Sequence, residues 1–114
     1  MNPNEILNQL ENAIIKLSEL NEELEELSYK KNESEKEYKI EKAKTILILK
    51  SKNTPIGIIK EIAEGTESVA ELEQKKKIDE DNYYITLLAL DNLKKEIEVL
   101  RSVLTYTRAE YLNT

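Results

Sequence analysis

Cysteine, histidine, tryptophan and phenylalanine are absent from this 114-residue chain, and glycine and proline number two each. Without cysteine there are no disulfides, no thiolate metal ligands and no thiol nucleophile. Without histidine, zinc in its usual sites and imidazole acid–base chemistry are excluded as well. The only aromatics are six tyrosines. A compact globule draws its largest core pieces from aromatic rings, so a thin, elongated core is expected. Scarce Gly and Pro leave long stretches with nothing to interrupt a helix. No hydrophobic run reaches the ~20 residues that span a bilayer. The opening Met1-Asn2-Pro3-Asn4-Glu5 lacks the basic segment that begins a signal peptide. A cytoplasmic protein with no membrane association is expected.

What remains is charge and aliphatic side chains. Charged residues make up 35% of the chain and the net charge is −6. Its distribution is uneven: residues 1–27 hold seven Glu against one Lys, and residues 28–54 hold eight Lys against four Glu. Residues 55–74 are acidic again, and the rest is balanced. The length allows one small domain, 1–114, and the composition is that of long solvated helices.

Residues 67–112 contain no Gly or Pro. Positions 69, 72, 76, 79, 83, 86, 90, 93, 97, 100, 104, 107 and 111 step by three and four, a heptad seam. It is apolar and strong from Tyr83 to Leu104 and polar at Lys76 and Asp79. The partner stripe is Ile6, Leu10, Ala13, Leu17, Leu20, Leu24 and Leu27. That stripe falters at Lys31 and Ser34, then recovers with Tyr38, Ile40, Ala43 and the run Ile46-Leu47-Ile48-Leu49. Four apolar residues in a row imply contact on more than one side of the helix.

The spacing predicts one helix over about 4–50, a short one over 55–64 and a long one over 67–112. Asn2 or Asn4 is placed to cap the first, and Thr54 with Pro55 to open the second. Gly65 suits a left-handed C-terminal cap, and Thr66 with Glu67 opens the third helix. Four isoleucines make the short helix read as a buried plug. The long helices, about 47 and 46 residues, would each extend ~70 Å at ~1.5 Å per residue. The expected fold is all-α: a long antiparallel helical hairpin, a coiled coil with the short helix at its tip. Tyr84, Ile85, Leu87 and Leu88 lie off the seam, so a homodimer forming a four-helix bundle is expected to cover them.

No residue pattern points to catalysis, a metal or a cofactor. Glu19, Glu22, Glu23 and Glu26 cluster along the first helix. A di-iron bundle would need Glu-x-x-His partners that the chain lacks, so a solvated acidic face is the reading. Asp79-Glu80-Asp81 diverge around a helix and cannot converge on one cation. The lysines, Lys75-Lys76-Lys77 among them, are interleaved with acids and the pI is near 4.9, which argues against direct nucleic-acid binding. Arg101 and Arg108, the only arginines, fall two turns apart with Tyr111 nearby. They form a candidate patch for an acidic partner or phosphate, or cover the seam edge and pair with Glu98 or a neighbouring chain.

Ala43 to Leu49, the break Lys52-Asn53-Thr54-Pro55, Glu61-Ile62-Ala63, Tyr83, Leu100-Arg101-Ser102 and Arg108-Ala109-Glu110 together resemble small phage and prophage helical-hairpin proteins. The likeness covers about residues 40–114. It implies a setting among single-strand annealing, single-strand-binding and replication genes, and carries over no functional residue. The leading functional expectation is a non-enzymatic, oligomeric helical adaptor that acts on a protein partner, a phage-encoded accessory to DNA recombination or replication. The alternatives are an acidic inhibitor of a host defence or nucleic-acid-binding enzyme, acting through the Glu19–Glu26 face, and a purely structural coiled-coil spacer.

Overall fold

The computed structural model describes residues 2–113. Three helices account for almost all of them: α1 (Pro3–Ser51), α2 (Ile56–Gly65) and α3 (Glu67–Leu112). No strand occurs among the described residues. Contacts divide the chain into two compact units, one of Met1–Glu25 with Tyr84–Thr114 and one of Glu26–Tyr83.

In the first unit the opening half of α1 packs along the closing half of α3. Asn2 begins α1 with a reciprocal cap. Its Oδ1 accepts from the Glu5 backbone N–H at 2.9 Å while its amide donates to the Glu5 carboxylate at 3.2 Å. Asn2 therefore serves as the cap, not Asn4. The core is Ile6, Leu10 and Ala13 from α1 against Leu93, Ile97 and Leu104 from α3, with Leu7, Leu17, Leu20 and Leu100 partly buried around it. All of these but Leu7 are predicted seam positions. One stripe of each helix is thus consumed in the contact, which is the geometry of a 3–4 repeat. Tyr111, placed last on the predicted seam, is exposed.

The second unit holds the end of α1, α2 and the start of α3. Its cross-helix contacts run in opposite senses along the chain. Lys31 meets Tyr83, Glu37 meets Lys75, and Lys42 meets Glu64 in α2, so the two long segments are antiparallel here. The α1 stripe does not lapse at Lys31 and Ser34: Ser34 is 2% exposed and Lys31 is half-buried. Serine fits because its hydroxyl donates to the Lys30 and Lys31 carbonyls of its own helix, at 3.0 and 3.2 Å, and so hides its polarity locally. The stripe then passes through half-buried Tyr38, while Ile40 and Ala43 face outward.

Several local expectations are corrected in this unit. Asn53, not Gly65, takes the left-handed conformation, with φ 59°. Thr54 N–H bonds the Leu49 carbonyl and Asn53 N–H bonds that of Lys50, both at 3.1 Å. This is the Schellman closure of α1, and asparagine tolerates the left-handed position second only to glycine. Pro55 is the residue before α2, with extended ψ 132° and no side-chain cap bond, so Thr54 does not cap that helix. Gly65 is the last helical residue, because one extended residue, Thr66, is enough to redirect the chain into α3. Thr66 serves both neighbours. Its carbonyl accepts from Ala70 N–H at 2.8 Å, while its hydroxyl turns back to the Ile62 carbonyl at 2.8 Å instead of capping α3.

The short helix is not a fully buried plug. Ile59 and Ala63 are buried, whereas Ile56, Ile58 and Ile62 are exposed. A ten-residue helix lying on its neighbours can cover only one of its faces. For the same reason the Ile46–Leu49 run does not bury all round, and Leu47 and Ile48 point to solvent.

Burial separates two kinds of seam residue. Ile97→Ala, which empties apolar space in the first unit, is expected to lower unfolding stability by about 2–4 kcal/mol. Ser34→Ala, at an equally buried position, is expected to stay within about 0.5 kcal/mol of the wild type, since the lost hydroxyl bonds only its own helix. Urea midpoints followed by circular dichroism would check both, and a comparable loss in the two variants would contradict the assignment.

Candidate partner-binding surfaces

Aliphatic layers give way in the second unit to charge over aromatic rings. Lys76 of α3 lies 5.3 Å from the ring centre of Tyr38 on α1, and Lys31 of α1 lies 5.3 Å from that of Tyr83 on α3. Each helix therefore sends a cation over a ring of the other. Lys42 adds a second cation to Tyr38 at 5.7 Å. This explains how the polar seam position at Lys76 is accommodated. Its butyl stem packs between the helices, its ammonium faces the ring, and Glu80 one turn away pairs with it at 3.5 Å. Asp79 is only partly buried, and lines a shallow groove with Tyr29, Ser34 and Lys75.

Two longer-range ion pairs tie the segments together. Lys42 Nζ donates to Glu64 Oε1 at 3.0 Å, and Lys75 Nζ to Glu37 Oε2 at 3.0 Å. The hydrogen bond from Lys42, and then its charge, hold the Glu64 carboxyl below the usual carboxylate range. The same bond raises Lys42, and the bond to Glu37 raises Lys75. Both pairs are partly exposed, so salt screens them and each is a modest contributor. The basic stretch of α1 thus does meet an acid of the 55–74 block, though the second pair runs with the charges reversed, acid on α1.

Arg101 and Arg108 are exposed on α3, as is Tyr111. Seven residues bring the two guanidinium-bearing positions to nearly the same side of the helix, about 10 Å apart along it. Neither arginine pairs with Glu98 or another carboxylate among the described residues. Glu19, Glu22, Glu23 and Glu26 are all exposed on α1. Among the described residues no group of three or more acids is arranged to hold a metal ion. No helix among them is long and apolar enough to cross a membrane.

A further uncommitted feature is apolar. On α3 of the first unit Ile85, Leu88, Val99, Val103 and Tyr106 are between 41% and 68% exposed. Ile85 and Leu88 are among the residues expected off the seam, whereas Val99, Val103 and Tyr106 are not, although they too recur at a spacing of four and three. No family model, curated protein or solved structure matches the chain.

Two measurements probe the polar seam. In a double-mutant cycle, Tyr38→Leu and Lys76→Met are expected to couple by about 0.5–1 kcal/mol in urea unfolding. A coupling near zero would remove the cation–ring contact from the account. The second concerns pH. A depressed carboxyl contributes stability above its unfolded value, about 4.3, and that contribution is lost as pH falls through the folded value. The difference in urea midpoint between wild type and Glu64→Gln is therefore expected to be largest near neutrality and to shrink on acidification. A raised lysine gives the opposite limb, so the difference should shrink again above the ordinary lysine range. A difference independent of pH would show that Gln reports packing and not the ion pair.

Proposed function

We propose that the protein is a non-enzymatic, oligomeric helical adaptor that acts through protein–protein contacts. The observation that supports this reading is the row of exposed large apolar side chains on α3. A patch of that kind on a helix is the usual mark of a partner surface. A homodimer is the simplest partner, bringing four long helices together. The exposed guanidinium groups of Arg101 and Arg108, near Tyr111, supply a second contact zone suited to a carboxylate or phosphate on another protein. The resemblance to phage helical-hairpin proteins implies a setting among annealing and replication genes, where such a partner would be sought. The spread of acids among the lysines argues for reaching DNA through the partner and not directly.

Light scattering after size exclusion tests this reading on the purified chain, alone and with single-stranded DNA. A mass of twice 13.2 kDa, unchanged by DNA, is the expected result. A DNA-dependent shift would overturn it. Arg101→Ala/Arg108→Ala is expected to keep the dimer and to weaken capture of a phage annealing or replication protein by about tenfold or more, the loss of a charge-assisted contact. Equal capture by both forms would exclude that end of α3.

A further inference from the structure

The exposed residues of α3 form a second heptad stripe, distinct from the seam that meets α1. Its spine is Ile85, Asn92, Val99 and Tyr106, spaced by seven and all exposed. At about 100° per residue this spine lies roughly 130° around the helix from the buried seam, so α1 cannot cover it. Leu88, Lys95 and Ser102 flank it on one side, and Ala89, Glu96 and Val103 on the other. Asn92 is thus a single polar residue in an otherwise apolar spine, between two flanks that carry opposite charges at adjacent positions.

We propose that this outer face of α3 takes the same face of a second copy, with the two α3 helices parallel and in register. The inference rests on the oligomeric reading above and adds to it the surface, the orientation and the register. In a parallel pair the two-fold axis runs along the helices, so one flank of each meets the opposite flank of the other. Lys95 then lies across from Glu96 of the second copy, and Asn92 meets Asn92, an arrangement that satisfies both amides. The antiparallel alternative about the same centre is disfavoured twice. It sets Lys95 near Lys95 and Glu96 near Glu96, and it buries Asn92 against Val99, where no hydrogen-bond partner exists. Sliding the antiparallel pair to centre it on Asn92 joins the two amides as well, but sets Lys95 beside Leu88 and forgoes its pairing with Glu96. The lone asparagine therefore fixes the register, and the Lys95–Glu96 pairing selects the parallel orientation.

The absence of native cysteine makes the test direct. In the full chain Asn92→Cys replaces an exposed side chain, and a parallel in-register pair brings the two new thiols within disulfide reach. Under mild oxidation, Asn92→Cys and, separately, Val99→Cys are each expected to convert almost wholly to a reducible dimer, and a mixture of the two chains to give little of the mixed species. Light scattering on the unaltered chain is run beside it. A dimer in which both variants link to themselves supports the proposal. A dimer that links at 92 but not at 99 overturns the orientation, and one that does not link at 92, or that links chiefly 92 to 99, overturns this face and register; each leaves the oligomeric reading standing. A monomer at tens of micromolar overturns both.

Discussion

Everything in this protein depends on the pairing of one narrow stripe on α1 with one narrow stripe on α3. A long solvated helix with a single seam has no way to bury that seam alone, and isolated helical stability in water is marginal without tertiary contact. Both seams therefore have to be filled from the other helix, residue by residue, along the length of each unit. Where the seam is apolar, as at Ile6, Leu10, Leu93 and Ile97, the hydrophobic effect does this directly. Ala13 is buried in the same cluster, so the stripe includes a small side chain among the larger ones.

The second unit solves the same problem with different chemistry. Lysine stems and tyrosine rings occupy positions that would otherwise take leucine, and they keep their charges at the edge of the contact. Such contacts are weaker than aliphatic burial but more directional, because a cation must sit over a ring face. The α1–α2 turn is built with equal economy. One left-handed asparagine closes α1, and a single threonine both ends α2 and begins α3. These devices let the chain reverse with very few residues outside helices.

After the seams are satisfied, what remains exposed includes the outer stripe of α3, the isoleucines of α2, scattered apolar residues of α1 such as Ile15 and Tyr29, and the charged faces. The α2 isoleucines and Leu47 with Ile48 lie on short or terminal segments and form no long period. The α3 stripe persists over three heptads. A period sustained over that length is what a second helix would need to pack along it, and the proposed dimer rests on this stripe for that reason.

Helix content, helix order and the seam of α3 were legible in the residues themselves, because a 3–4 spacing without glycine or proline has one low-energy conformation in a chain of this composition. Lys31 and Ser34 read as a lapse in the α1 stripe because polarity alone says nothing of exposure. A serine that bonds its own helix is buried, and a lysine that lies over a ring is half-buried, without either being apolar. The Gly65 and Thr54 assignments failed because cap residues are interchangeable locally. The path the chain must follow chooses among them, and here it placed the left-handed turn at Asn53. By itself the sequence determined that long amphipathic helices form and which stripe of each is buried, since these follow from local propensity and periodicity. Only the tertiary structure decided which polar residues enter the seam, how the turns close and which isoleucines stay outside, since these depend on what each side chain meets.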